Sequence, residues 1–204
     1  MMRKFVVSGL GLALLALVAS GCAKPPEAEI QSVAAALQGA TSAEAGEYAP
    51  ESLAAAESAK RDFDAELKVQ EEKFALFRSY DKAKELASAA KAAGDKAAAD
   101  AAAGKNRARD EATALMAEAK TAIEEVKTLL DQAPRGKGSQ ADIAAMKSDL
   151  AGIETSLAEI DSAMAEERYL QAKAKAEAAK QNVEQIRNEI LQAMEAMKQA
   201  RSGR

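Results

Sequence analysis

The chain of 204 residues has no histidine, no tryptophan and a single cysteine, and aromatic residues make up 3% of it. Without histidine it lacks the commonest general base and the usual transition-metal ligand. After residue 22, no apolar run approaches the roughly 20 residues that a membrane-spanning helix needs. We therefore predict a protein that is not an enzyme, with no cofactor, no metal site and no small-molecule substrate.

Two pairs of adjacent carboxylates remain as candidates for catalysis, Glu124 with Glu125 and Glu166 with Glu167. Neighbours in sequence point in different directions on a helix, whereas acid–base chemistry needs groups that converge in a dry pocket. We interpret both pairs as solvated helix faces. A group of basic residues is interpreted in the same way, as solvating a helix and a loop: Lys105, Arg107, Arg109, Arg135 and Lys137.

The charge balance is mildly acidic, with 28 basic and 32 acidic residues. Removal of residues 1–21 would take away Arg3 and Lys4, leaving 26 basic against 32 acidic residues and a net charge of −6. Nucleic acid binding requires a concentrated basic surface. We predict no nucleic acid partner.

The N-terminus combines a basic start, an apolar stretch over residues 5–18 and three small residues, 19–21, directly before Cys22. The apolar stretch is too short for a stable membrane anchor and has the length of a signal-peptide core. This segment resembles the lipobox of bacterial lipoproteins, although Ala19 stands where leucine is commoner. The alternative is a plain secretory signal with an incidental cysteine.

The resemblance implies that residues 1–21 are a cleaved signal peptide and that the Cys22 thiol receives a diacylglycerol. The new amino terminus would be acylated as well, with a fatty acid such as palmitate, and two or more acyl chains hold a protein stably on a membrane. Residues 22–26 would be the acylated cysteine and a short tether. Ala23, in place of aspartate, implies sorting to the periplasmic side of the outer membrane under the rule of enteric bacteria.

Alanine and other strong helix formers fill most of the remaining chain, which predicts an all-α protein with a thin core. A first helix is expected from about Pro26 to Leu37 or beyond, then a connection over residues 39–48 and a second helix that opens at Pro50. The second helix is predicted to carry the heaviest part of the core: Leu53, Ala56, Phe63, Leu67, Phe74 and Phe77.

A third, very long helix is predicted from about Ser79 to Leu130. Gly94 and Gly104 lie within it as sites of close helix approach or, alternatively, as hinges. A Pro/Gly-rich loop over residues 132–139 follows.

Beyond that loop, apolar residues recur at spacings of three and four, the pattern of a helix packed at a shallow angle on another helix. The first seam contains Ile143, Met146, Leu150, Ile153, Leu157, Ile160 and Met164. The second contains Tyr169, Ala172, Ala176, Ala179, Val183, Ile186, Ile190, Ala193 and Met197. The step of five residues between the two seams changes the phase and predicts a tight hairpin. The alternative is one continuous helix in an oligomeric coiled coil.

Together these patterns predict elongated antiparallel helical hairpins, arranged as two three-helix bundles that share one long helix. The N-terminal bundle would cover residues 27–103. The C-terminal bundle would cover residues 104–204, with a hairpin over residues 139–200.

A weak repeat relates residues 78–91 to residues 167–180 and aligns Tyr80 with Tyr169. Each tyrosine stands where a helix should begin after a turn, so its ring would fill the turn while its hydroxyl stays in water. Tyr48-Ala49-Pro50, followed by the alanine spacing and the helix start at Tyr80, resembles the domain of unknown function 4398. This resemblance, over roughly residues 26–102, implies a small helical envelope lipoprotein and supplies no catalytic residues.

Three functions follow as hypotheses. The first is a non-catalytic lipoprotein, held on the membrane through Cys22, that serves as a structural or protein-interaction element with an envelope protein partner. The second is a periplasmic chaperone or adaptor that binds envelope proteins with its helical hairpins. The third is a spacer that binds peptidoglycan without a covalent bond.

Overall fold

The computed structural model describes residues 24–133 and 139–202, and in the second range the side chains of residues 142–199. Cys22 and the predicted signal peptide therefore lie outside the described residues. The regular structure is helical throughout: α1 Glu27–Ser42, α2 Ala45–Tyr48, α3 Pro50–Glu72, a 3₁₀ turn Ala75–Phe77, α4 Asp81–Gln132, α5 Ser139–Ala165 and α6 Tyr169–Ser202. The all-α prediction is confirmed.

The chain divides into two compact units, and the boundary lies within α4, between Gly104 and Lys105. We call the described residues up to Gly104 the N-terminal unit and those from Lys105 onward the C-terminal unit. Each has its own buried clusters.

The N-terminal unit packs α1, α2 and α3 against the first part of α4 around two small clusters. One contains Val33, Phe63, Tyr80, Ala83, Ala87 and Ala90. The other contains Ala40, Ala45, Ala56, Ala97 and Ala101. Residue numbers in α1 rise together with those in α4 from one cluster to the next, so these helices are parallel, and α3 runs antiparallel to both.

Gly94 and Gly104 are sites of close helix approach, as predicted. A Cβ on Gly94 would lie 2.9 Å from the Ala36 Cβ, and one on Gly104 would lie 2.4 Å from the Tyr48 carbonyl oxygen. Only glycine lets the backbones of α1 and α2 lie this near α4.

The predicted connection over residues 39–48 was wrong. Helix α1 continues through Gly39 to Ser42, and Ala45–Tyr48 forms a further helical turn. The break between these two helices falls at Glu44, which has the left-handed φ of 61°. A single glycine costs a helix only about 1 kcal/mol, and burial of Ala40 and Ala45 on either side of the break offsets that cost.

The prediction that all the phenylalanines after Cys22 belong to the core was also wrong. Phe63 is 1% exposed, but Phe74 and Phe77 are 69% and 75% exposed. Helix α3 ends at Glu72, and Lys73 is already extended, with φ −73° and ψ 147°. The spacing of seven from Leu67 to Phe74 continues the helical period, so periodicity alone could not reveal this end.

The C-terminal unit has one continuous cluster, to which α4, α5 and α6 each contribute. Its fully or nearly buried aliphatic residues include Ile123, Val126, Leu150, Ile153, Ile160, Val183, Ile186 and Ile190. The first predicted seam lies wholly in this cluster, with Ile143, Met146, Leu157 and Met164 partly buried against it. The second seam lies in it from Ala172 to Ile190, whereas Ala193, predicted as its next member, is exposed. Leu191, next to the buried Ile190, is 43% exposed.

Helices α5 and α6 form the hairpin that the change of phase predicted. Glu167 has a left-handed φ of 58°. The Arg168 N–H donates to the Ala163 carbonyl at 2.9 Å, and the Glu167 N–H donates to the Met164 carbonyl at 3.2 Å. This is the Schellman arrangement, in which glycine is usual. Because glutamate occupies the position here, no local residue signal marks the turn.

Tyr80 and Tyr169 both stand at helix starts, but their surroundings differ. Tyr80 is 4% exposed and its hydroxyl is buried without a hydrogen-bond partner, so the prediction of a hydrated hydroxyl was wrong there. Tyr169 is partly exposed, and the Lys105 Nζ lies 5.9 Å from its ring centroid. The N-terminal tyrosine is a core residue, and the C-terminal one takes part in a cation–π contact.

Candidate anchor and interaction surfaces

The lipid-attachment residue predicted from sequence, Cys22, precedes the first residue of α1 by five positions. The described chain is packed almost at once, because Pro26 is buried. The Ile30 N–H donates to the Pro26 carbonyl at 3.0 Å, which opens the helix. None of the described helices is both long and apolar enough to cross a bilayer.

An apolar tip occupies the turn between α3 and α4. We use this name for Phe74, Leu76 and Phe77, whose exposed fractions are 69%, 60% and 75%. The two phenylalanine rings lie 6.3 Å apart between centroids, with an interplanar angle of 52°. Exposure of three large neighbouring apolar side chains is unusual on a protein surface and points to an interaction site.

The backbone on either side of the apolar tip is held by Arg78. Its Nε donates to the Lys73 carbonyl at 3.0 Å, and its Nη2 donates to the Glu71 carbonyl at 2.8 Å. The Glu71 carbonyl is one of those that the C-terminal end of a helix leaves without a partner, and the Lys73 carbonyl lies just beyond the end of α3. The backbone of the turn that carries the apolar tip is therefore held in one conformation.

A buried polar pair supports the same turn. The Gln70 amide Nε2 donates to Glu66 Oε1 at 2.6 Å, and Gln70 Oε1 accepts from the Ser79 N–H at 3.1 Å. Lys82 Nζ lies 3.3 Å from Glu66 Oε2. The Gln70 hydrogen bond is the main cause that lowers the pKa of Glu66; burial opposes it, and Lys82 reinforces it. An ionised Glu66 thus connects α3 to the start of α4.

The C-terminal unit has a cleft where α4, α5 and α6 come together near Leu130. Its apolar lining includes Leu130, Ile143, Met146, Ile190, Met194 and Met197. Methionine side chains are flexible and polarisable, and such surfaces adapt to apolar partners of different shape.

Charged side chains pair across the helices of this unit at heptad spacing. Lys173 lies 2.7 Å from Glu111, and Lys180 lies 2.7 Å from Glu118. Each glutamate raises the pKa of its lysine, first through the hydrogen bond and then through its charge. The constant difference of 62 residues shows that α4 and α6 are parallel.

Helix α5 is connected to both neighbours by similar pairs, and their decreasing numbers show antiparallel packing. Lys127 lies 2.7 Å from Glu154, and Lys147 lies 3.3 Å from Asp131, both between α4 and α5. The hydrogen bonds that Lys127 donates to Glu124 and then to Glu154 raise the pKa of Lys127 to about 12. Lys175 pairs with Glu159 between α5 and α6.

The four carboxylates considered for catalysis are exposed, and three of them pair with basic side chains. Glu124 pairs with Lys127 at 2.7 Å, and Glu166 pairs with Arg168 at 2.7 Å. Glu167 pairs with Lys105 at 2.8 Å, and this hydrogen bond lowers its pKa. Within residues 24–133 and 139–202, no group of three or more acidic, cysteine or histidine side chains is placed to hold a metal ion.

Two of the basic residues noted in the sequence pair with carboxylates. Lys105 is engaged with Glu167 and Tyr169, and Arg109 pairs with Asp110 at 3.0 Å. Arg107 is exposed, and Arg135 and Lys137 lie outside the described residues.

Comparison with known proteins finds no matching family model, no matching curated protein and no matching solved structure. The assignment of function therefore depends on the residues and surfaces of this chain.

Sequence reasoning missed the apolar tip and the Glu66–Gln70 pair. Helix α3 ends without glycine or proline, so no local signal separated Phe74 and Phe77 from the apolar face. Glu66 and Gln70 occupy positions four apart on that same face, between Phe63 and Phe74. Polar residues inside an apolar period were the available sign that the buried face ends near residue 70.

Proposed function

We propose that this protein is a non-catalytic lipoprotein, anchored through Cys22 to the periplasmic side of the outer membrane, that acts as a structural or protein-interaction element of the cell envelope. The observation that carries the proposal is the single cysteine placed behind three small residues and an apolar stretch. A helix begins five residues later, so an acylated Cys22 would hold a folded unit directly at the membrane.

The pairing of surface charges supports a structural role. Lysines and glutamates on neighbouring helices of the C-terminal unit pair with each other at heptad intervals. Such pairs favour the correct alignment of helices and add little to stability. Helices held in register by paired charges suit a scaffold that presents its surfaces to a partner.

Fatty-acid labelling in bacteria that produce the full chain tests the anchor. The wild-type chain should incorporate labelled palmitate and fractionate with the outer membrane. Cys22→Ser should lose the label, whereas the matched variant Ser20→Ala, which keeps a small residue before the cysteine, should retain it. Label that persists in Cys22→Ser would end the lipoprotein proposal.

Sorting can be tested separately from acylation. In an enteric host, Ala23→Asp should move the labelled protein from the outer to the inner membrane, while Lys24→Ala should leave it in the outer membrane. An unchanged distribution for Ala23→Asp would contradict the proposed outer-membrane location without affecting the lipid anchor.

A second candidate, a periplasmic chaperone or adaptor, is favoured by the methionine-lined cleft of the C-terminal unit. Met146, Met194 and Met197 are partly buried there and leave an apolar surface open. In this role the protein should suppress aggregation of an unfolded outer-membrane barrel protein at stoichiometric amounts. Met194→Glu with Met197→Glu should abolish suppression, whereas Lys198→Glu on the exposed face should not. No suppression by the wild-type chain would remove this candidate.

A further inference from the structure

The apolar tip is fixed in place but makes no contribution to the core. Phe74, Leu76 and Phe77 are all at least 60% exposed, although each has a large apolar side chain. The backbone beneath them is secured by the bonds from Arg78 and by the Ser79–Gln70 hydrogen bond. A turn held in this way keeps its apolar side chains outward, and water is an unfavourable environment for them.

The tip lies at the same end of the N-terminal unit as the start of α1. Ala36 faces Gly94, and Ala40, further along α1, shares a cluster with Ala97 and Ala101, so α1 and α4 run in the same direction. Val33 shares a cluster with Tyr80 and Ala83, at the beginning of α4. Counting back from Ala36, Glu27 lies at the level of residue 85, about 6 Å along the helix axis from Asp81.

Cys22 is attached to that end by a very short segment. The five residues from Cys22 to Glu27 can span at most about 18 Å even when fully extended. A lipid on Cys22 would therefore keep the membrane surface beside the end of the unit that carries the apolar tip.

We propose that the apolar tip inserts into the interfacial region of the membrane that carries the Cys22 lipid, so that the N-terminal unit has two attachments to one lipid surface. This inference rests on the proposed anchor. Aromatic side chains and leucine are the residues that bury at the boundary of headgroups and acyl chains. Insertion at the tip orients the N-terminal unit with the turn between α3 and α4 against the bilayer.

A lipid surface fits the tip better than a protein groove does. An anchor at the same end holds the bilayer at high effective concentration, so even weak partitioning of three side chains is sufficient. Residues 71–82 contain three acidic and three basic side chains, and the segment has no net charge. Insertion therefore depends on the apolar side chains, and zwitterionic lipid at high salt should support it.

The chain contains no tryptophan, so one introduced residue reports its own depth without background. The full chain with Phe77→Trp is produced in bacteria, purified with its lipid and reconstituted into phosphatidylcholine vesicles. Its fluorescence should shift to shorter wavelength, and shallow brominated lipids should quench it. The matched control is Ser42→Trp, an exposed position at the opposite end of the same unit. Quenching at position 77 should be several-fold stronger than at position 42.

Loss of the apolar character should abolish the signal without unfolding the protein. Phe74→Ser with Leu76→Ser, in the Phe77→Trp background, should reduce quenching to the level of the control, while the far-ultraviolet circular dichroism stays unchanged because both residues are exposed. Equal quenching at positions 77 and 42 would overturn the proposal, and so would strong quenching that survives the double substitution.

Mass spectrometry of residue 22 in the Phe77→Trp variant separates this proposal from the anchor. An acylated Cys22 without quenching at position 77 would refute insertion and leave the anchor standing. An unmodified Cys22 with strong quenching at position 77 would refute the anchor, and with it the two attachments, while showing that the tip enters a bilayer without the lipid. In cells, a photoreactive residue at position 76 should give lipid adducts. A discrete protein adduct in their place would refute membrane insertion and indicate that the tip binds a protein partner.

Discussion

The N-terminal unit packs its helices through alanine and glycine, whereas the C-terminal unit packs them through aliphatic side chains at heptad spacing. Among the buried apolar residues described in the N-terminal unit, only Pro26, Val33, Phe63 and Tyr80 are larger than alanine. In the C-terminal unit, isoleucine, leucine and valine from three helices join one cluster.

The two units are therefore stabilised by different interactions. Alanine buries little apolar area, so the N-terminal unit depends on a few large side chains and on close backbone approach at glycine. The C-terminal unit distributes burial over many aliphatic residues, and its lysine–glutamate pairs favour the correct alignment of neighbouring helices. The same helix-forming composition thus supports two kinds of core, which single substitutions can distinguish.

The largest loss of stability should come from truncating Phe63, because Tyr80 is the one other large aromatic residue in its buried cluster. Phe63→Ala should lower the free energy of unfolding of the N-terminal unit by about 3–5 kcal/mol. Hydrogen exchange of the α3 amides in the full chain measures this directly. Phe77→Ala is the matched control and should change stability by less than about 0.5 kcal/mol. Equal effects would contradict the burial of Phe63 and the exposure of Phe77.

Truncation of a buried side chain should cost the C-terminal unit slightly less stability. Ile160 is fully buried, and Ile160→Ala should cost about 2–5 kcal/mol, measured by hydrogen exchange of α5 and α6. Leu157, which the sequence alone placed in the same seam, is only partly buried, so Leu157→Ala should cost less. Leu191→Ala, at an exposed site, should have the smallest effect of the three. A reversed order of the three would contradict the helix faces described for α5 and α6.

Glycine-to-alanine substitutions should change the free energy of unfolding in opposite directions in the two units. Gly104→Ala places a Cβ against the Tyr48 carbonyl, and we expect a net loss of about 1–3 kcal/mol despite the better helix propensity of alanine. Gly152→Ala, where no atom lies within 4 Å of the added Cβ, should stabilise α5 by about 0.5–1 kcal/mol. Urea unfolding followed by circular dichroism compares them, and a stabilising Gly104→Ala would rule out the contact between α2 and α4.

Acidification should loosen the N-terminal unit at the turn between α3 and α4. The folded state lowers the pKa of Glu66 below its ordinary value of 4.5, chiefly because Gln70 donates a hydrogen bond to the carboxylate. A lowered pKa means that Glu66 contributes stability above pH 4.5, and this contribution is lost as the pH falls through the folded value. Carboxyl carbon chemical shifts measure the titration, and exchange of the Ser79 amide reports the loosening.

The matched variants for this prediction are Glu66→Gln and Glu85→Gln, the latter at an exposed position on α4. The quantity compared is the protection of the Ser79 amide, that is, its exchange rate relative to the unfolded chain at the same pH. Glu66→Gln should remove the loss of this protection in acid, whereas Glu85→Gln should leave it in place. If the Ser79 amide still loses protection in acid in Glu66→Gln, a titratable group other than Glu66 causes that loss.

The smallest effect should come from the charge pairs of the C-terminal unit, because their side chains are partly exposed. Lys173→Glu with Lys180→Glu should lower Tm slightly at low salt, and about 1 M salt should remove the difference. Reversing the partners as well, with Glu111→Lys and Glu118→Lys, should restore Tm. Failure of the fourfold variant to recover would contradict the parallel register of α4 and α6.

The hairpin and the turn before α4 show how far sequence reasoning reaches. The change of phase between Met164 and Tyr169 located the α5–α6 turn, although no glycine or proline marks it. The same reasoning failed at Phe74, because the helical period continues past the residue where α3 ends. A period shows which side chains share a face, but the end of a helix depends on whether that face still has something to contact.

The sequence by itself determined the all-α class, the long helix and the seams of the C-terminal unit as far as Ile190, because propensity and periodicity are local properties of the chain. It also supplied the argument for Cys22, which depends on the residues that precede it and on no fold. Only the tertiary structure decided that Gly94 and Gly104 admit neighbouring backbones, that the Tyr80 hydroxyl is buried, and that Phe74, Leu76 and Phe77 face outward. Each of these depends on which helices meet and at what level, and residues distant in sequence set those distances.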